Sequence, residues 1–254
     1  MFNIGDSVKR NVLVSCDHGL MVINRFDTTS CSIGGFLLDH GNNNTVEADV
    51  TIKALSGIED PIILDIGANI GTYTSWVAKW FKNGKVYAFE PQREVFQMLC
   101  ANMAINNIYN VHAYQIGLSD EEKYVEVNTI DYEKVGSFGA FSLNHDPDKY
   151  KSIDKKERFK VTTVDKFVEE HQIPKVNFIK IDAEGLDLEV LRGASNTINK
   201  FKPDLYIEFL NLGPSNDEDT SDQGYEKLNE ILKEIGYNTM KIHHDIYATM
   251  KEIK

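Results

Sequence analysis

The sequence predicts an α/β protein with a doubly wound, mostly parallel sheet and a β-rich extension at its N-terminal end. Three observations carry this reading. Short apolar runs such as "PIILDIG" (61–67) have the pattern of strands buried on both faces, as in a parallel sheet. These runs alternate with amphipathic segments at short intervals, as βαβ units do. A glycine-rich turn, "DIGANIG" (65–71), joins the first core strand to the helix after it. In a doubly wound sheet that is where a ligand binds.

Taken in order, residues 1–60 read as an extension of short strands and turns with a helix at its end, packed on the core. "VLVS" and "LMVINRF" are β-rich, and "DHG" between them is a turn signal. Thr45 is the expected N-cap of a helix that places Val46, Val50 and Leu55 on one face and stops at Gly57. Residues 61–254 read as the main domain. "PIILDIG", "NGKVYAFEP" and "VHAYQIGLSD" are its first three strands. "TYTSWVAKWF", with Trp76, Val77 and Trp80 at helical spacing, and "REVFQMLCANMAIN" are the helices between them. Residues 119–160 are polar, and read as an insertion of irregular strands and loops, a substrate or lid segment. The rhythm then resumes. "TTVDKFVEEH" is a helix, "VNFIKIDAEG" a strand, "LDLEVLRGASNTINKF" one helix and "PDLYIEFL" a strand. "GPSNDEDTSDQG" (213–224) is an acidic loop, "YEKLNEILKEIG" an amphipathic helix, and "YNTMKIHH" with "IYATMKEI" a final strand pair.

The net charge of −12 and the pI near 5.0 argue against a nucleic-acid binder, which presents a basic face. Cys16, Cys31 and Cys100 are few, odd in number and far apart, so they suggest neither a disulfide framework nor a zinc site. The first ten residues lack the apolar run of a signal peptide, and no apolar segment is long enough to span a bilayer. The expectation is a cytoplasmic protein.

The glycine turn narrows the ligand. It is D-x-G-x-x-x-G, with Asn69 where a dinucleotide fingerprint has its second glycine, and no G-K-[ST] follows. That disfavours a pyrophosphate on this turn and excludes a P-loop. Asp65, two residues ahead of the first glycine, fits beside a cationic ammonium or sulfonium. Glu90 ends the second strand, where a carboxylate accepts hydrogen bonds from both hydroxyls of a ribose. This suits NAD or S-adenosylmethionine. "QIGLSD", ending the third strand, is a good place for an adenine.

"LDIGANIGTYT", "VYAFEP" and "FIKIDAEGLDLEVLRGA" followed by "KPDLYIEF" resemble the FkbM family of S-adenosylmethionine-dependent methyltransferases, over roughly residues 33–250. The resemblance implies a class I methyltransferase fold, Rossmann-like, with a seven-stranded sheet whose last strand is antiparallel. It also implies methyl transfer to an oxygen, often on sugars or secondary metabolites. One departure is Leu186-Asp187, where the family often has a small residue and then Glu. By position, Asp65, Gly67, Asn69, Gly71 and Thr74, with Ala68 in the same turn, would surround the amino-acid end of the cofactor. Glu90 would hold its ribose, Pro91 and Gln92 would shape the adenine edge, and Gly117, Leu118 and Ser119 would line the adenine.

Three acids are candidates for the chemistry. In "IKIDAEG", Lys180 and Asp182 share one face of a strand, with Ile179 and Ile181 on the other. Asp182 lies at that strand's carboxyl end, where a reactive methyl should sit, with Glu184 just beyond it, and Glu208 ends the next strand. A protonated hydroxyl is a poor nucleophile, so a carboxylate acting as general base would help. Asp182 is also a candidate contact for the cofactor or a cap for the next helix, and Glu184 a helix N-terminal acid. An oxygen-only cluster would also suit magnesium. Among the histidines, His145 in the insertion could reach a substrate, whereas His243 and His244 stand near the end of a C-terminal strand, where a histidine is more often structural or solvated than catalytic. In "GSFGAFS" (136–142), Phe138 and Phe141 are expected to stack on a sugar. The function expected is O-methylation of a small-molecule or glycan hydroxyl. The alternatives are a protein or nucleic-acid acceptor, a non-catalytic cofactor-binding module, and an NAD-dependent oxidoreductase; the last lacks its G-x-G-x-x-G.

Overall fold

The computed structural model describes residues 10–29, 32–42, 46–139, 152–209 and 218–253. The N-terminal region opens with a hairpin of β1 (Asn11–Cys16) and β2 (Gly19–Asn24). Gly19 turns between them with φ of 105°, where a side chain would be strained. A helix that the sequence reading did not foresee follows, α1 (Ile33–His40). Its first turn holds Gly34 and Gly35, poor helix formers that mask it. Ser32 caps it by accepting the Gly35 N–H at 3.2 Å, and Gly41 ends it in the left-handed conformation. Gly34 has to be small, since a Cβ there would lie 2.4 Å from the Asp27 carbonyl oxygen. The next helix, α2 (Val46–Ala54), lies where expected. Ala48, Thr51 and Leu55 are buried and Val50 is partly buried; Thr45, its expected cap, is outside the described residues.

The core then alternates as anticipated through β3 (Ile62–Ile66), α3 (Thr72–Trp80), β4 (Lys85–Phe89) and α4 (Arg93–Ile105). On α3 the buried positions include Tyr73, Val77 and Ala78, whereas Trp80 faces solvent at 64% exposure. The third strand is two pieces, β5 (Val111–Tyr114) in the main sheet and β6 (Gly117–Leu118) outside it. The insertion is more regular than expected. A long antiparallel pair, β7 (Lys123–Ile130) with β8 (Ser152–Thr162), forms a small three-stranded sheet with β6. Next come α5 (Val164–Glu170) and β9 (Phe178–Ile181).

The single helix expected over 186–201 is two, α6 (Asp187–Gly193) and α7 (Ser195–Phe201). Asp165 of α5 accepts the N–H groups of Asn196 and Thr197 at 2.9 and 2.7 Å, giving α7 its own N-terminal cap from a distant part of the chain. The chain ends with β10 (Asp204–Glu208), α8 (Glu218–Glu234), β11 (Asn238–Ile242) and β12 (Asp245–Thr249). The stretch 218–224, expected in an acidic loop, belongs to α8; residues 213–217 are outside the described residues.

The main sheet has seven strands in the order β11-β12-β10-β9-β3-β4-β5. β12 runs antiparallel to both neighbours, and β10, β9, β3, β4 and β5 pair in parallel. This is the sheet that the family resemblance implied. Strand order reverses around β3, so the switch point lies at the carboxyl ends of β3, β4 and β9. One sheet face packs Leu64, Ile66, Ile179 and Ile181 under the helices α5 to α8; the other packs Ile63, Val86 and Phe178 under α2 and α3. A third cluster, with Met21, Ile23, Leu37 and Met98, joins the N-terminal hairpin to α4.

Gly193 lies against the Ser119 carbonyl, where an added Cβ would stand 2.0 Å from the oxygen. Gly193→Ala is expected to destabilise the protein by about 3 kcal/mol, the upper range for overpacking. The urea unfolding midpoint checks this.

Candidate active site

The glycine turn is built by close backbone approach. The N–H groups of Gly67 and Ala68 both donate to the Phe89 carbonyl, at 3.0 and 2.9 Å, and that of Gly71 donates to Ala68 at 2.9 Å. Gly67 has φ of 78° and Gly71 φ of 88°. A Cβ on Gly67 would fall 1.8 Å from the Asp182 carbonyl oxygen, so only glycine lets the turn touch the end of β9. Asn69 also has positive φ, at 50°, and its side-chain oxygen accepts the next N–H, that of Ile70, at 2.7 Å.

Glu90 follows β4 and is 4% exposed. Its Oε2 accepts the Asn69 N–H at 3.1 Å and its Oε1 the Gln92 N–H at 2.8 Å. Burial pushes its pKa up to about 7 against the pull of these two bonds. The "DAEG" turn after β9 is organised by Asp187, which accepts from Ala183 and Gly185 at 2.8 and 3.1 Å. Glu184 lies in that turn with φ of 51°, ahead of α6 rather than in its first turn. Burial, then the charges of Asp182 and Asp187, push its pKa up to about 8.

Two neighbouring clefts with shared lining residues open at the switch point. The first spans about 590 Å³, counting space open to solvent, and is lined by Gly67, Asn69, Glu90, Pro91 and Gln92, with Ile116, Gly117 and Leu118 on the β5–β6 side. The second spans about 1180 Å³ on the same measure and shares Gly67, Asn69, Gly139, Asp182 and Glu184 with the first. Ala68, Tyr73, Glu47, Glu208, Asp245 and the two histidines 243 and 244 line only the second.

Asp65, Gly71, Thr74 and Ser119 line neither cleft. Asp65 is fully buried beneath the turn, where it accepts the Thr74 hydroxyl. The cation facing it is the chain's own Lys180, with Nζ 3.8 Å from its Oδ1. The same ammonium pairs with Asp182 at 3.0 Å and lies 5.5 Å from the Tyr73 ring centre. Burial pulls the Lys180 pKa down, but the charges of Asp182, Asp65 and Glu47 outweigh it and hold it well above its ordinary value. Ser119 instead donates its N–H to the Thr162 carbonyl.

Phe138 does not face a substrate. It is 2% exposed and packs edge-on to Tyr132 in the N-terminal cluster. Its backbone is held from both sides: the N–H donates to Asp27 Oδ1 at 3.1 Å, and the carbonyl accepts from Gln92 Nε2 at 2.9 Å. Asp27 Oδ2 accepts the Gly34 N–H at 2.9 Å. The N-terminal region thereby clasps residues 136–139 over the glycine turn. Gly139 lies against Asn69, where a Cβ would be 2.1 Å from its side-chain nitrogen. Phe141 and His145 lie outside the described residues.

The sequence reading missed Glu47, Tyr73 and Asp245 as cleft residues, which come from two helices and a strand that meet only in the fold; Gly139, which lines both clefts, belongs to the 136–142 stretch that the sequence reading singled out. Among the described residues, no group of three or more His, Cys, Asp or Glu side chains could hold a metal ion, and no helix is long and apolar enough to cross a membrane.

The Methyltransferase FkbM domain family matches this chain over residues 65–241. The chain belongs to the FkbM methyltransferase family. It is 28% identical over 146 residues to Methyltransferase 1 of Beauveria bassiana, covering 53% of this chain and 59% of that protein. It is also 28% identical over 146 residues to the hexuronic acid methyltransferase AglP of Haloferax volcanii, covering 55% of this chain and 52% of that protein. The chain thus spans little more than half the length of these relatives. A solved FkbM methyltransferase from Methylobacillus flagellatus shares the fold, with a TM-score of 0.51 at 20% identity over 76% of this chain and 45% of that one. The stretch "KIDAEG", inside the matched residues, brings Asp182 and Glu184 to both clefts and Lys180 to the second.

Lys180→Met is expected to destabilise the protein by about 3–5 kcal/mol, because it strands the buried Asp65 without its cation. The double variant with Asp65→Asn should recover most of that loss. Chemical denaturation of the two single variants and the double checks the pairing.

Proposed function

We propose that the chain is an S-adenosylmethionine-dependent O-methyltransferase acting on a hydroxyl of a sugar, glycoconjugate precursor or secondary metabolite. The observation that carries this is Glu90, a buried carboxylate at the end of β4, in a cleft that shares Asp182 and Glu184 with a second, acid-lined cleft. The residues fit the cofactor. Gly67 leaves bare backbone at the floor, and the wall of Ile116, Gly117 and Leu118 is largely apolar, as an adenine requires.

In this reading Gly67, Ala68 and Asn69 receive the amino-acid end, with Asp65, Gly71 and Thr74 supporting the turn from beneath. Glu90 accepts from the ribose hydroxyls. Pro91, Gln92, Gly117 and Leu118 hold the adenine, and Ser119 braces that wall through its bond to Thr162. When bound, the cofactor supplies an electrophilic methyl carbon. The protein then has to orient the acceptor hydroxyl and take its proton. Asp182, fixed by Lys180, lines both clefts and orients the acceptor. Glu184 also lines both, and its raised pKa suits a general base near neutral pH. Glu208 lies farther along the second cleft as an acceptor contact.

The hexuronic acid methyltransferase among the relatives supports a sugar acceptor. In the same reading residues 1–60 are an extension packed on a 61–254 methyltransferase domain, residues 119–160 are its substrate insertion, and the protein works in the cytoplasm.

Glu90→Ala should weaken S-adenosylhomocysteine binding at least tenfold by calorimetry; unchanged affinity would remove Glu90 from the site. With a methyl acceptor in hand, the rate should rise with pH through about 8 as Glu184 loses its proton. Glu184→Gln should lower kcat about 10²-fold or more, the ordinary contribution of a general base, and should flatten that rise.

A further inference from the structure

The second cleft has a charge character that the first lacks. Asp182 and Glu184 line both clefts, but Glu47, Glu208 and Asp245 line only the second. These three come from separate elements: α2, the end of β10 and the start of β12. Glu208 and Asp245 are cross-strand partners. Asp245 Oδ2 accepts the Tyr206 hydroxyl at 2.8 Å. Glu208 differs, because its Oε2 is buried and has no hydrogen-bond partner. A buried acceptor left without a donor is unfavourable, and a donor brought by a ligand relieves it.

The cations around this cleft do not offset the acids. Among the described residues they are Lys180, His243 and His244. Lys180 is committed to Asp182 and Asp65, and the two histidines are exposed. The acids respond to burial and to each other. Burial and the charges of Asp182, Glu184, Asp187 and Asp245 hold the Glu208 pKa well above its ordinary value. Burial raises Glu47 to about 7 against the pull of Lys180, and raises Asp245 to about 6 against the hydrogen bond from Tyr206. A positive charge placed among them would be stabilised by all three.

Resting on the reading of this cleft as the acceptor site, we propose that the acceptor is an amino sugar, whose ammonium group donates to Glu208 Oε2 while its hydroxyls meet the surrounding carboxylates. An amine in this position supplies the donor that Glu208 lacks, and its positive charge favours the ionised forms of Glu47, Glu208 and Asp245 that burial disfavours. A uronate would bring a further negative charge against the same three acids with no uncommitted lysine or arginine among the described lining residues to receive it. The charge of the acceptor would then set this chain apart from a hexuronic acid methyltransferase. Glu208 is the residue that reads it.

The test uses the full chain saturated with S-adenosylhomocysteine, at a pH where the sugar amine is protonated. Glucosamine, glucose and glucuronate are titrated by calorimetry as matched rings bearing an ammonium, a hydroxyl and a carboxylate. Glucosamine should bind at least tenfold tighter than glucose, and glucuronate should not bind. Glu208→Gln should bring glucosamine down to the level of glucose, removing the preference for the ammonium. Thermal unfolding of the variant should match the parent, which separates lost recognition from lost fold. Glucuronate binding as tightly as glucosamine overturns the proposal. So does an equal loss for all three sugars in the variant, or binding of none of them to the parent. Should the parent fail to bind S-adenosylhomocysteine, the methyltransferase reading itself fails; cofactor binding with a charge-blind acceptor cleft defeats this inference alone.

Discussion

The site depends on one close approach, that of the Gly67 backbone to the carbonyl of Asp182, braced from beneath by the Lys180 ammonium. β3 and β9 are parallel neighbours with Asp65 opposite Lys180, so the sheet register itself sets acid beside base. The ammonium then links the floor of the turn to Asp182 at the edge of both clefts. A larger residue at 67 would push the strands' carboxyl ends apart. An uncharged residue at 180 would leave Asp65 buried without its cation. The clefts exist because these two constraints are met together.

Around that brace the chain divides its work. The first cleft is lined by backbone and apolar wall with one buried carboxylate, Glu90, whose bond to the Asn69 N–H ties β4 to the turn. The second is lined mainly by polar and charged side chains from α2, α3, β10 and β12. The N-terminal region, which precedes the matched methyltransferase stretch, is not a passive addition. Through Asp27 it holds residues 136–139 where Gly139 can rest on Asn69, and Ile33 of α1 lines the second cleft. Gln92 closes the link by joining Tyr132 and Phe138 to the end of β4.

Much of this was legible in the sequence where local pattern and structure have the same cause. "PIILDIG" reads as a buried strand because both its faces are covered, and Gly67 and Gly71 stand where positive φ is needed. The departures come from causes that lie far along the chain. α1 was hidden by glycines that are small so that the helix can press on Asp27. The break between α6 and α7 reflects a cap supplied by Asp165, some thirty residues earlier. Asp65 was read as facing a ligand cation, and its nearest cation is instead Lys180. Phe138 looked like a stacking residue and is core, because its aromatic partner Tyr132 comes from the end of the β7 hairpin arm. Glu47 and Asp245 carried no motif; only the packing of α2 and β12 around β10 and β9 brings them to the cleft.

The most direct test of the account is the ligand preference of the unmodified protein, measured by thermal unfolding with S-adenosylhomocysteine, S-adenosylmethionine and NAD in parallel. A ligand at a hundred times its dissociation constant stabilises the folded state by about 2.7 kcal/mol, a shift well within reach of the method. The account predicts stabilisation by the first two ligands and none by NAD. Stabilisation by NAD alone would contradict it, since the D-x-G-x-x-x-G turn and Glu90 would then be serving a dinucleotide.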